Sequence, residues 1–210
     1  MRDKAIYFIF TDTGTYLSRL INYFTNQSLN HVSIAMDADL REVYSFGRIQ
    51  PQNPFSGGFV REDVRGKFLK NARCAVYKFY FSEAELEQIM TRIKQIEAEK
   101  CHYKYNFIGL IGILFNIEIN RKHAFFCSQF VAWVLRDLRT FHVEKPICFT
   151  TPSDIRSHAG MQLIYQGILK DYEDATAVQL KPLAEVTNPV LAKPSMFFTL
   201  SKKVKQFVIR

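Results

Sequence analysis

The sequence predicts an α+β domain with an antiparallel sheet packed against helices, and three observations carry that reading. Strand-like and helix-like runs succeed one another without the regular β–α–β alternation of a parallel sheet. Two segments, opening at Ser82 and at Cys127, carry helix-start signals of their own. The other apolar runs are short and bounded by turn residues, as in hairpins. The 210 residues are read as one domain over 1–210, with a core over about 5–170 and a C-terminal extension over about 171–210.

The first run, Ala5 to Phe10, reads as a buried strand. Asp12 or Thr13 then caps a helix whose Leu17, Leu20, Ile21 and Phe24 share one face. A strand from His31 to Met36 follows, with Asp37-Ala38-Asp39 as a hairpin turn and residues 42–46 as the partner strand. The Pro-, Asn- and Gly-rich stretch 51–58 reads as an active-site loop, with Phe55 or Phe59 as a lid over substrate. Cys74 to Phe81 is a half-buried strand rich in aromatics. Ser82 and Glu85 form a capping box for a helix to about Glu99, with Leu86, Ile89, Ile93 and Ile96 inward. A second helix spans residues 127–138, and strands are expected over 162–169 and 197–200. Residues 107–115 are the most apolar stretch, well short of the ~20 needed to span a bilayer. Burial in the core is expected for it, and peripheral membrane contact is the alternative.

Hydrophobic residues make up 48% of the chain and aromatics 14%, which excludes a disordered composition. A net charge of +8 permits anionic partners, but the basic residues are scattered. No basic stripe interleaved with aromatics appears, so nucleic acid is not an expected partner. The four cysteines form no CxxC pair, which argues against a zinc site or a disulfide scaffold. No signal peptide or spanning segment is read, so a reducing cytoplasm is the expected location.

Chemistry is concentrated at Cys127. It stands where an apolar approach, residues 124–126, turns into an amphipathic helix. A helix N-terminus favours a thiolate, the competent nucleophile near neutral pH. His31 opens a strand on which Val32, Ile34 and Met36 share one face. His31, Ser33 and Ala35 share the other, a small-residue surface that suits the Cys127 helix. His123 is nearer in sequence, but a strand-to-helix bend aims its side chain away. Glu42 and Ser45, on the partner strand, are the candidates for orienting the imidazole. The Cys127 backbone N–H serves an oxyanion, and Tyr7, Tyr44 or Gln129 could supply a second donor. No metal or organic cofactor is needed.

The order of His first and Cys late resembles the circularly permuted branch of the NlpC/P60 papain-like superfamily, which includes the YiiX-like and lecithin:retinol acyltransferase-like proteins. The matching pieces are residues 12–15 with the helix after them, Asn30-His31-Val32-Ser33-Ile34, Tyr44-Ser45-Phe46-Gly47-Arg48, residues 105–110, Phe126-Cys127-Ser128-Gln129-Phe130-Val131 and residues 151–155. The resemblance implies a papain-like core, Cys127 as nucleophile and His31 as base. It implies hydrolysis of an amide or peptide bond through an acyl-enzyme. Acyl transfer or a lipid-directed thiol activity is one alternative, and a non-catalytic binding module on the same fold is another. Relatives place an acidic or polar residue on the strand after the His; here Ser45 occupies the aligned position and Glu42 lies slightly earlier.

Overall fold

The computed structural model describes residues 4–12, 14, 28–49 and 56–179. In chain order the strands are β1 (Lys4–Asp12), β2 (His31–Ala35), β3 (Val43–Arg48), β4 (Gly57–Arg61), β5 (Arg73–Phe81), β6 (Lys104–Tyr105), β7 (Ala124–Phe125) and β8 (Gln162–Ile168). The helices are α1 (Glu83–Ala98), α2 (Phe107–Phe115), α3 (Cys127–Leu135), α4 (Pro152–Arg156) and α5 (Tyr172–Gln179). Described residues up to Ala175 belong to one compact unit. The fold is α+β: six strands make an antiparallel sheet in the order β4-β3-β2-β1-β5-β8, and β6 pairs with β7 in parallel.

Alternation along the strands sends two sets of side chains to opposite faces. Ile6, Phe8 and Phe10 of β1 join Val32, Ile34 and Phe46, and α1 and α3 cover them with Ile89, Ile93, Phe130 and Val134. On the reverse face Ile9, Ala35, Val43, Cys74 and Val76 meet Leu40, Leu69 and Leu169. Both faces are therefore apolar, which explains strands that read as continuous hydrophobic runs.

Ser82 and Glu85 cap α1 reciprocally, as the sequence predicts. Glu85 also accepts hydrogen bonds from the Thr140 N–H and hydroxyl at 3.0 and 2.9 Å, which ties the start of α1 to the chain beyond α3. At the far end of α3, Arg92 of α1 donates to the Val134 carbonyl at 2.8 Å and to that of Arg136. These two clamps fix the C-terminal end of α3, and the chain that leaves it, against α1.

Three expectations change. Residues 57–61 are an edge strand, not part of a lid. Phe59 is buried against Tyr44, Phe46 and Phe130, because its alternation in β4 aims it at the α3 face. Helix α3 stops at Leu135, since Arg136 leaves the helical region and Asp137 takes a φ of 60°. Helix α2 is not a core helix. Of its described side chains Leu110 and Ile113 are only half-buried, and Ile108, Ile111 and Phe115 face outward. No helix among the described residues is long and apolar enough to cross a membrane. The helix expected over residues 15–25, the strand at 197–200 and Phe55 lie outside the described residues.

Candidate active site

The site forms where the first residue of α3 meets the first residue of β2. Parallel pairing of β6 with β7 sets Tyr105 opposite Phe125, two residues before Cys127, and so fixes how the chain enters α3. Phe126 occupies the N-cap and offers no capping side chain, which leaves the opening N–H groups of α3 without a side-chain acceptor. The Cys127 sulfur lies 3.9 Å from the Asn30 carbonyl oxygen and is 5% exposed. Asn30 is the residue before His31, so the sulfur is brought to the end of β2 that His31 opens.

The third partner of this pair is Glu62, the residue after β4. Its backbone N–H donates to the Val43 carbonyl at 2.9 Å, holding it in line with the strand. One carboxylate oxygen lies 2.7 Å from His31 Nε2, and the other accepts the Ser33 hydroxyl. The Ser33 hydroxyl is itself 3.3 Å from His31 Nε2. The His31 and Glu62 side chains are only 13% and 10% exposed.

Burial opposes a charge on His31, yet the Glu62 carboxylate and the hydrogen bonds to Cys127 and Glu62 outweigh it. The imidazole is held well above its ordinary value. Burial likewise opposes ionisation of Glu62, and the charge and hydrogen bond of His31 with the Ser33 hydroxyl reverse that, keeping the carboxyl below its ordinary range. The two shifts have one cause: a buried His31–Glu62 pair in which each partner favours the charged form of the other.

The other sequence candidates fall elsewhere. Glu42 sits beside Met36, at the opposite end of β2 from His31, because the hairpin is antiparallel. Five residues of strand separate the two, about 16 Å. Its carboxylate is 46% exposed and pairs with Arg61 at 3.4 Å. Ser45 is buried and donates to the Val32 carbonyl at 2.9 Å, a bond internal to the sheet. Tyr7 packs on the reverse face among Ile9 and Leu40. Tyr44 stacks on Phe59 and carries Arg61 over its ring. The Gln129 amide oxygen accepts from Phe126 N–H at 3.4 Å and from Asn106 Nδ2 at 3.2 Å, so it braces the start of α3. The packing surface of α3 also differs from expectation. It lies on the Val32 and Ile34 face, and the sulfur comes to the end of β2, beside Asn30.

A cleft of about 660 Å³ opens next to this constellation, lined among others by His31, Glu62, Arg48, Phe68, Tyr105 and Phe107. Its size suits a small molecule or a short peptide segment. Burial pushes the Tyr105 phenol well above its ordinary value; the nearby Cys127 charge raises it further and Arg48 opposes the rise. Tyr105 and Arg48 line the same cleft. Among the described residues no group of three or more His, Cys, Asp or Glu side chains could hold a metal ion.

Sequence reasoning missed Glu62, Ser33 as a polar partner, and Tyr105. The signal for Glu62 was the alternation Phe59, Val60, Arg61 running out of Gly57-Gly58, which reads as a strand once the loop is ended earlier. Searches against protein-family models, curated proteins and solved structures found no match.

Proposed function

We propose that this chain is a thiol hydrolase on a permuted papain-like core, cleaving an amide or peptide bond through an acyl-enzyme. The single observation that carries the reading is the buried His31–Glu62 pair at 2.7 Å beside a cleft, with the Cys127 sulfur against Asn30, the residue before His31. Glu62 takes His31 Nε2, so Nδ1 is the nitrogen that serves the sulfur. In the first step the Cys127 thiolate attacks the substrate carbonyl carbon. An S–C bond forms, the C–N bond breaks, and the His31 imidazolium gives its proton to the departing amine. Water then attacks the thioester, gives a proton to His31 and releases the acid, restoring the thiolate. In this reading the Cys127 N–H at the start of α3 meets the oxyanion, and the Tyr105 phenol, which lines the cleft, is the candidate second donor.

Ile49, Phe68 and Phe107 make part of the cleft wall apolar, and this favours one second reading, acyl transfer from a lipid through the same thioester. Incubation with amide and with ester acyl donors, followed by intact mass, separates the two. A thioester on Cys127 that water clears supports hydrolysis, and one cleared only by an added amine or alcohol supports transfer. The hydrolase reading fails if Cys127→Ala retains turnover of any substrate the wild type cleaves.

A further inference from the structure

Exposed large hydrophobic side chains are unevenly spread over the described surface. Of the eight, Ile49, Phe68, Ile108, Ile111, Phe115 and Ile117 lie on α2, the residues after it and the adjoining cleft wall; only Tyr80 and Leu163 lie elsewhere. A patch of that kind on a water-soluble surface marks an interaction site.

Helix α2 is built to present it. Ile108, Ile111 and Phe115 recur at helical spacing on one side, and Phe115 is 70% exposed. Leu110 and Ile113, on the other side, are half-buried. Gly112 lets the chain turn back against the helix: a Cβ there would stand 2.6 Å from the Ile117 carbonyl oxygen. Nine residues make a helix of about 14 Å, enough to lie in an interface and too short to cross one.

The root of the same excursion is cationic. The Lys104 N–H donates to the His123 carbonyl at 2.9 Å, which brings Lys104 to the neighbourhood of Arg121 and Lys122. All three are exposed. The one carboxylate between residues 104 and 123, Glu118, accepts the Asn120 amide at 2.7 Å. The chain as a whole carries +8. Apolar side chains on one helix face, with lysine and arginine at its base, match the layering of an anionic lipid surface, acyl region inside and phosphates outside. A purely apolar protein partner would leave those cations without a counterpart.

We propose that α2 docks this protein on an anionic bilayer, with Ile108, Ile111 and Phe115 entering the interfacial layer and Lys104, Arg121 and Lys122 meeting the lipid phosphates. Phe107 both opens α2 and lines the cleft, so docking would set the mouth of the cleft at the membrane surface. The docking is independent of the thiol chemistry.

The test is flotation of the full chain with vesicles of phosphatidylcholine alone and with phosphatidylglycerol added. Binding is expected to the anionic vesicles only and to weaken with salt. Phe115→Asp should lower the partition coefficient about tenfold or more, and each of Lys104→Gln and Lys122→Gln about fivefold. Cys127→Ala should bind like the wild type, which keeps this result separate from the catalytic reading. A Phe115→Trp variant, whose emission should shift blue and be quenched by brominated lipid, gives a second measurement. Absence of flotation on anionic vesicles at low salt overturns the proposal, as does undiminished binding of Phe115→Asp. A wild-type dimer in solution that Phe115→Asp converts to monomer would assign the face to a second copy and overturn it as well.

Discussion

Replacing Glu62 by glutamine keeps the side chain's shape and removes its charge from a site where both partners are nearly buried. In the wild type the carboxylate faces His31 Nε2 at 2.7 Å and accepts the Ser33 hydroxyl. At an effective dielectric of about 20, unit charges at that separation attract by about 6 kcal/mol, most of which offsets desolvation of the two ions. What remains is the net value of a charge-assisted hydrogen bond, about 1.5–3 kcal/mol. Lost from the imidazolium that faces the sulfur, this corresponds to a rate of Cys127 alkylation about 10- to 150-fold slower. The assay is iodoacetamide labelling followed by peptide mass, at about pH 6.5 and again at about pH 9, above the ordinary thiol value. The variant should lag strongly at the lower pH and recover at the higher one, where any accessible thiol ionises unaided. Equal labelling of variant and wild type at the lower pH would refute the reasoning. An equal deficit at both pH values would also refute it, since that is the mark of lost access rather than lost charge.

Other outcomes follow from the same contacts. Glu42→Gln should leave labelling unchanged, and Ser45→Ala should cost about 1 kcal/mol in denaturant unfolding while also leaving labelling unchanged, because one faces solvent and the other bonds within the sheet. The pH dependence of Tm has a definite sign. The His31 value is raised, so its stabilisation is complete below the ordinary 6.5 and is lost as pH climbs through the raised value; that of Glu62 is lowered, so its share is complete above 4.5 and is lost as pH falls through the lowered value. The Tm gap between wild type and Glu62→Gln should therefore be widest between those two values and narrow on either side. Glu85, held down at about 2 by the Ser82 and Thr140 hydrogen bonds against a burial cost, stabilises above 4.5 and loses that share as pH falls toward 2. Glu85→Gln should lower Tm near neutral pH and flatten the acid limb. Cys74, pushed by burial to about 12, should stay unlabelled at both pH values used for Cys127.

Much of the sheet was legible because its strands carry dense β-branched and aromatic residues. Strands β1, β2, β3, β5 and β8 stand within a few residues of where their sequence patterns place them. Helix α1 was legible from Ser82 and Glu85 alone, a local signal that tertiary structure merely extends to Thr140. Helix α2 misled, since a run of nine apolar residues looks the same whether it faces a core or an outer surface; the deciding fact is that Ile108, Ile111 and Phe115 are left exposed. Cys127 and His31 were legible as candidates because each opens an element, and the structure brings those two element ends together at Asn30. Their third partner was not. Glu62 reaches His31 across β3, and the register that brings it there depends on β4, which looked like loop because Gly57-Gly58 opens it. The facing of β2 was misjudged for a related reason: Ser33 and Ala35 look like a bed for a helix, but Val32 and Ile34 supply the larger apolar area, and α3 packs there.

The account depends on a sulfur and an imidazolium sharing one buried site. Titration of the His31 ring protons by NMR tests that pairing without any substrate. The His31 titration is expected well above the ordinary 6.5 in the wild type, and lowered in Glu62→Gln and in Cys127→Ala. A wild-type His31 that titrates near the ordinary 6.5, unmoved by either substitution, would contradict it.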